Sequence, residues 1–319
     1  MMHANALRRP ACAGAIFLVA TALAARGEET LRVGVNLATI ETLPVWLAAA
    51  GTGGAGIAIS GGGIPALMTG TVDVATHAET QAVRHSPANP DLRVILTLAE
   101  YANHLVARRT AGVRTAADLG GKRIATVPDT TAHYALVKTL AAAALSEHDV
   151  TIVAMAPRDM PAALARGDVD AVSIWEPAAE QSARTLGGDA VTLDAAGYRE
   201  RFDLNTTATV LADPVRRAAV ADLVRAVTAA ARSIREHPGD AEAVIAGKLA
   251  LPRDVVAAAW DRFRFPASLP ADLADAMADE EPWLASRQNR APRSREAIAA
   301  LIEGGVWREA ERTAVSPHN

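Results

Sequence analysis

Cysteine is almost absent from this chain of 319 residues, and the single one, Cys12, lies in an apolar stretch near the N-terminus. If that stretch is removed, a disulfide, a thiol nucleophile and a cysteine-ligated metal site are all excluded. Aromatic residues make up only 4% of the chain, so aliphatic side chains and alanine must fill the core. No later apolar run is long enough to span a membrane as a helix.

Basic clusters are absent as well, and the formal net charge is −4. A nucleic-acid partner is therefore not expected, because such proteins carry basic stripes with interleaved aromatic residues. The glycines at 61–63 lack the spacing and the lysine of a phosphate-binding loop. They are better explained by a tight turn or a close approach of the backbone to a ligand.

Residues 1–25 have the pattern of a secretory signal peptide. Arg8 and Arg9 precede an apolar run, and small residues place the cleavage near Ala24 or Ala25. Removal of Arg8 and Arg9 from the 32 basic residues leaves 30 against 36 acidic residues. The sequence therefore predicts an exported, periplasmic protein that carries a net negative charge.

Beyond the signal peptide, short apolar strands alternate with helices, which predicts an α/β fold with mostly parallel sheets. Residues 92–98 and 105–108 are expected to be strands, and the polar residues 100–104 between them to form a rim loop. Residues 205–211 are expected to be a β-rich return segment, and the chain from Pro214 onward to be helical. Ligands in such sheets bind beyond the carboxyl ends of the strands.

Residues 123–134 are the most informative stretch, because a short strand there runs into a helix through a hydroxyl-rich turn. Asp129, Thr130 and Thr131 are residue types that accept hydrogen bonds from the free N–H groups of a helix start. Such a helix start also carries a partial positive charge and can hold a polar or anionic group. The alternative is that Thr130 only caps the helix.

Several ordered motifs carry a family resemblance. Residues 66–75 read ALMTGTVDVA, residues 118–125 read DLGGKRIA, residues 163–171 read ALARGDVDA, and WEP stands at 175–177. Taken together over residues 31–240, the chain resembles the periplasmic substrate-binding proteins of ABC transporters for nitrate, sulfonate, taurine and the thiamine pyrimidine precursor.

The resemblance implies a two-lobed periplasmic binding protein fold of type II, in which each lobe is a mostly parallel sheet flanked by helices. Lobe I would comprise residues 26–108 and 206–319, including a helical C-terminal extension, and lobe II residues 109–205. The crossings would lie near 106–110 and 205–211, and the lobes would close on a ligand like a hinge. We then expect a monomer that captures a small organic solute, has no cofactor or catalytic residue, and meets the membrane only through the permease subunits.

Residues just past each predicted strand are the candidate ligand-binding residues: Thr39, Glu41, Gly61, Gly62, His77, Glu79, Asn103, Asp129, Thr130, Thr131, His133, Arg158, Trp175 and Glu176. In relatives the turn at Thr130 and Thr131 often contacts the acidic group of the ligand. Two departures are Ala132, where many relatives have a hydroxyl, and Asp129, where an uncharged residue is usual.

If Glu41, Glu79, Glu176 and Asp129 converge on the cleft, with Arg158 as the one cation at its rim, a cationic or zwitterionic ligand is favoured over a simple anion. The alternative is that these acids face solvent or pair with backbone groups. Trp175 is expected either to stack on the ligand or to pack in the core.

Two functions other than solute binding fit the sequence less well. An enzyme of the thiamine-pyrimidine-synthase type is disfavoured, because those relatives are cytosolic and carry a cysteine-rich segment. An extracellular sensor would need an anchor or an output domain. His77, His104 and His133 lack metal-ligand spacing, so no metal is predicted.

Overall fold

A computed structural model of the protein describes residues 30–51 and 56–315. The predicted signal peptide and Cys12 lie outside these residues. The described residues form nine strands, which are β1 Leu31–Val35, β2 Ile57–Gly61, β3 Val74–Ala78, β4 Leu92–Arg108, β5 Arg123–Thr126, β6 Thr151–Ala154, β7 Ala171–Ser173, β8 Ala190–Thr207 and β9 Phe263–Arg264.

The helices of the described chain alternate with the strands up to β8 and then follow one another. They are α1 Leu43–Gly51, α2 Ile64–Met68, α3 Glu79–His85, α4 Thr131–Ala142, α5 Met160–Arg166, α6 Ala178–Leu186, α7 Ala208–Ala212, α8 Pro214–Glu236, α9 Pro238–Leu249, α10 Arg253–Trp260, α11 Leu273–Arg287, α12 Arg295–Ala299 and α13 Gly305–Val315. None of these helices is long and apolar enough to cross a membrane.

All nine strands belong to one sheet in the order β2-β1-β3-β8-β4-β7-β5-β6, and β9 pairs with β4. The three strands β2, β1 and β3 are parallel, as are β7, β5 and β6. The long strands β4 and β8 are antiparallel to each other and join the two parallel groups. We call the group at β1 the first lobe and the group at β5 the second lobe. The predicted fold class is confirmed.

Each lobe has its own buried apolar clusters. In the first lobe, Val33 and Leu43 pack against Val224 of α8, and Ile64 packs in a cluster with Met277 of α11. Separate clusters in the second lobe cover the two faces of β5. The C-terminal helices therefore pack on the first lobe, as predicted, and the domain limits at 108 and 206 stay a prediction.

The predicted rim loop at residues 100–104 is wrong, because this stretch is the middle of β4. Its residues pair with the neighbouring strand instead of facing solvent. Glu100 pairs in register with Arg201, and Asn103 donates to the carboxylate of Glu200 over 3.1 Å. Tyr101 is fully buried between these polar positions.

Only the first three residues of the predicted β-rich segment 205–211 belong to a strand. That strand, β8, begins at Ala190 and ends at Thr207, and residues 208–212 form α7. The Thr207 hydroxyl accepts a hydrogen bond from the Val210 N–H over 3.1 Å, which caps α7 and ends the strand. Asn205 pairs with Ala75 of β3, and residues 205–207 pair with the first residues of β4.

Candidate functional site

A cavity of about 370 Å³ lies where strands of both lobes end. This size is within the range of small-molecule sites in proteins. Its described lining comes from β1, β2, β3, the turn before α4, the end of β7 and the middle of β8: Val35, Asn36, Leu37, Thr39, Glu41, Gly61, Gly62, Gly63, Thr76, His77, Ala78, Gln81, Thr130, Thr131, Trp175, Glu200 and Phe202.

Eight of the fourteen candidate residues line this cavity: Thr39, Glu41, Gly61, Gly62, His77, Thr130, Thr131 and Trp175. Six do not: Glu79, Asn103, Asp129, His133, Arg158 and Glu176. The strand-end rule thus brings together residues from both lobes, and the residues that lie elsewhere have identifiable structural partners.

The glycine turn after β2 has a steric reason. A Cβ atom added at Gly63 would lie 2.4 Å from Cδ2 of His77, so only glycine lets the His77 ring lie against this turn. The Nδ1 atom of His77 accepts a hydrogen bond from the Ala78 N–H over 3.1 Å. Burial, with smaller effects from His85 and Arg84, lowers the pKa of His77 to about 4, so its ring is neutral at pH 7.

Glu41 is buried in the wall of the cavity, with 4% of its surface exposed. It follows β1 in a short turn, and its carboxylate accepts a hydrogen bond from the Thr39 hydroxyl. Burial raises the pKa of Glu41 to about 8, and repulsion from Glu200 acts in the same direction. Ionisation of Glu200 therefore disfavours ionisation of Glu41.

Glu200 is the main residue that the sequence did not predict. Its Oε1 accepts a hydrogen bond from the Thr131 hydroxyl over 2.6 Å, and its Oε2 accepts one from Asn103 over 3.1 Å. Burial raises its pKa to about 7, although these two hydrogen bonds oppose the rise. Asn103, a candidate ligand residue, thus positions Glu200 rather than lining the cavity.

The three polar residues of the turn before α4 have different partners. The Thr130 hydroxyl donates to the Val127 carbonyl over 2.7 Å and does not cap the helix. Thr131 points to Glu200. Asp129 has a φ of 59°, a conformation that aspartate tolerates better than most residues. Its side chain lies away from the cavity, 3.4 Å from Arg287 and 3.9 Å from Arg84.

The histidine of this helix has a structural environment. His133 is 2% exposed, and its Nδ1 accepts the N–H of Asp129 over 3.2 Å. Its Nε2 lies 2.7 Å from Glu147. These contacts occupy both ring nitrogens and hold the turn.

Glu79 and Glu176 are buried beside the cavity but face other partners. The Tyr198 hydroxyl lies 3.1 Å from Glu79 and 3.0 Å from Glu280, and burial together with repulsion from Glu280 raises the pKa of Glu79. Glu176 accepts the N–H of Glu180 over 2.9 Å at the start of α6, and burial raises its pKa to about 7.

Arg158, the expected cation at the rim, does not line the cavity. Its side chain is 87% exposed and lies 3.8 Å from Asp159. Among the described residues that line the cavity, none is a lysine or an arginine. The part of the chain that the structure describes also contains no group of three or more histidine, cysteine, aspartate or glutamate side chains placed to hold a metal ion.

The sequence patterns missed Glu200 and Phe202 because no element was assigned between residues 194 and 204. The signal that could have identified a strand there is the period-2 series of apolar and aromatic residues, Tyr198, Phe202 and Leu204, in which Glu200 occupies the same face. Gln81 was missed because it lies within α3 rather than at a strand end.

Residues 59–241, more than half of the chain, match the family described as NMT1/THI5 like. The chain belongs to this family. The family prediction is thereby confirmed, and the matched segment contains both the turn before α4 and Glu200.

Named relatives of this NMT1/THI5 like chain include binding proteins. It is 27% identical over 146 residues to a protein of Escherichia coli (strain K12) described as an aliphatic sulfonates-binding protein, an alignment that spans 45% of this chain and 44% of the relative. The chain thus matches less than half the length of that relative.

Solved structures share the fold. The alkanesulfonate-binding protein of Xanthomonas axonopodis pv. citri, bound to MOPS, superposes with a TM-score of 0.71 at 23% identity and covers 87% of this chain and 99% of its own. The periplasmic nitrate-binding protein of Synechocystis PCC 6803 has a TM-score of 0.72 at 14% identity, with 91% of this chain and 90% of its own covered.

Proposed function

We propose that this protein is an extracytoplasmic solute-binding protein that delivers a small organic solute to an ABC permease. The solute would be a sulfonate, an amino-sulfonate or a related nitrogen or sulfur compound, held between the lobes. The observation that supports this function is the cavity of about 370 Å³ lined by both lobes, since a ligand that contacts both lobes favours their closed arrangement.

Binding is supported over catalysis by the chemistry of the lining. The cavity wall contains carboxyls, hydroxyls, a neutral histidine and aromatic rings, but no cysteine or lysine nucleophile among the described residues. The relatives named above are substrate-binding proteins. Solute binding is therefore favoured over the thiamine-pyrimidine-synthase alternative.

Export, the periplasmic location, the permease partner, the monomeric state and the domain limits at 108 and 206 belong to the same proposal. The named relatives support the periplasmic location and the permease partner, the pattern of residues 1–25 supports export, and the monomeric state and the domain limits rest on the family resemblance alone.

The test is native mass spectrometry of the freshly purified protein, combined with a thermal-shift screen. A ligand at a hundredfold excess over Kd stabilises the native state by about 2.7 kcal/mol. We expect a bound solute or a clear shift with at least one of the sulfonates, amino-sulfonates, aromatic acids, pyrimidines or polyamines. No shift with any of these classes and no copurified solute would contradict solute binding.

A further inference from the structure

The cavity wall contains two buried acids, and no described lysine or arginine lines it. Glu41 and Glu200 are 4% and 1% exposed, and both line the cavity. Ionisation of a buried carboxyl without a nearby cation is costly, so a cationic ligand is the partner that makes the ionised form of these acids favourable.

The start of α4 has an acidic neighbour. Tyr134 is the first residue of α4 whose N–H bonds back, to the Thr130 carbonyl over 2.9 Å, so the N–H groups before it have no partner within the helix. Glu200 lies at this helix start through its 2.6 Å hydrogen bond with the Thr131 hydroxyl. A sulfonate bound at this helix start would therefore lie close to the Glu200 carboxyl.

The rest of the lining includes apolar side chains. Val35, Leu37, Ala78, Trp175 and Phe202 line the cavity together with the two acids. Leu37 is 53% exposed, so part of this apolar surface is open to solvent. A ligand that matches this lining has a charged head and a hydrophobic or aromatic body.

We propose that the ligand belongs to the nitrogen compounds of the proposed range and is a small organic cation, an amine or amidine on an apolar body, whose N–H groups bind Glu41 and Glu200. This inference rests on the proposed solute-binding function and narrows it by excluding a simple sulfonate. A carboxylate has about four acceptor positions, and Glu200 uses one on each oxygen for Thr131 and Asn103. Acceptor positions therefore remain for the ligand.

Ligand charge must also change protonation of the pair. Burial holds the pKa of Glu41 at about 8 and that of Glu200 at about 7, so a cation that binds their ionised forms releases protons near pH 7. An anion would have the opposite effect. The titratable groups that interact with Glu200, besides Glu41, are Glu79 on α3, Tyr101 on β4, Tyr198 on β8 and Glu280 on α11, and His77 lines the same cavity.

The experiment compares two probes of the same shape and opposite charge, benzylamine and benzenesulfonate, with taurine as a zwitterion. Thermal shift gives the ranking, and isothermal titration in two buffers of different ionisation enthalpy counts protons. We expect benzylamine to raise the melting temperature, to release about one proton at pH 7, and to bind more tightly as the pH rises from about 6 to 8.

Two neutral substitutions test the residues. Glu41→Gln and Glu200→Gln preserve shape, and each should weaken benzylamine binding at least about tenfold, whereas Arg158→Ala on the exposed surface should leave it unchanged. If Glu200→Gln fails to fold, Glu41→Gln and the proton count of the wild type still decide the matter.

Stabilisation by benzenesulfonate with proton uptake, without a response to benzylamine, would overturn the cationic ligand and preserve solute binding. Taurine binding that survives both substitutions would do the same. An absence of binding by all three probes, together with no copurified solute, would contradict the proposed function itself.

Discussion

Two glutamates with the same exposed fraction have pKa values shifted in opposite directions in this protein. Glu281 on α11 and Glu200 in the cavity wall are each 1% exposed. Burial favours the neutral form of both, but hydrogen bonds from Arg290 and Arg293 outweigh it at Glu281 and lower its pKa to about 2. Glu200 has only a hydroxyl and an amide as partners, and its pKa is raised to about 7.

The difference separates a structural acid from an acid reserved for a ligand. Arg293 donates to Glu281 from its backbone and its guanidinium, at 2.8 and 3.0 Å, and also donates to the Val83 carbonyl over 2.9 Å. This network attaches the C-terminal segment to α3. Arginines therefore compensate the buried charge of Glu281 where the C-terminal segment packs on α3, and none of the described arginines lines the cavity.

The largest effect is expected from breaking the structural network. Arg293→Met leaves Glu281 with half of its cationic partners and should lower the free energy of unfolding by about 3 kcal/mol. Chemical denaturation at pH 7 measures it, with Arg158→Met as the exposed control. A loss no greater than that of the control would show that Arg290 alone neutralises Glu281.

The free energy of unfolding should depend on pH in two ranges, one set by the lowered pKa of Glu281 and one by the raised pKa of Glu41. The pKa of Glu281 is about 2 in the folded protein against 4.5 otherwise, so its contribution is present above pH 4.5 and is lost as the pH falls toward 2. The pKa of Glu41 is raised to about 8. The advantage of its neutral form is therefore complete below pH 4.5 and is lost as the pH rises through 8.

The Glu41→Gln variant tests the predicted loss of stability at high pH. The ligand-free variant should be more stable than the wild type at pH 8.5 by about 2 kcal/mol and should lose that advantage near pH 5. Thermal melts across this range check the slope. Glu79, Glu280 and Asp203, whose pKa values are also raised by burial, should leave a residual slope in the variant. Equal profiles for variant and wild type would show that Glu41 is not a source of the decline.

Thr131→Ala and Thr130→Ala form a matched pair on adjacent positions. Thr131 donates to Glu200 and Thr130 donates to Val127. Loss of the Thr131 hydroxyl should weaken benzylamine binding by about 0.5–1.5 kcal/mol, because Glu200 loses one of its orienting partners. Thr130→Ala should change only stability. Titration calorimetry and melting curves of both variants separate the two effects, and equal losses of affinity would argue against a special role for Glu200.

Asp129→Asn should have the smallest effect. Asp129 lies outside the cavity, near Arg84 and Arg287, so its charge is already compensated. We expect an affinity within about twofold of the wild type at low and high salt. A salt-dependent change of tenfold would instead place its charge in the field of the ligand.

The sequence predicted the fold and half of the cavity for a shared reason. Strand ends such as those before Thr39 and Trp175 are local features, and parallel strands bring their carboxyl ends together. Asp129 misled the prediction because its residue type reflects a positive φ and not the charge of a ligand. Glu200 was missed because it lies in the interior of β8, where only the pairing with β4 across the chain shows which acids face the cavity.

The two long strands have a consequence for how the lobes move. β4 and β8 are shared by both lobes, and their register shifts in three places, between Val94 and Leu96, Thr97 and Ala99, and Ala102 and His104. Such bulges bend a strand and increase its local twist. We expect opening and closing of the lobes to be torsion of one continuous ribbon, in which the residues paired between the bulges keep their hydrogen bonds. Hydrogen exchange of residues 99–102 should therefore remain slow in the free and the bound protein, while the residues of the cavity rim report the change.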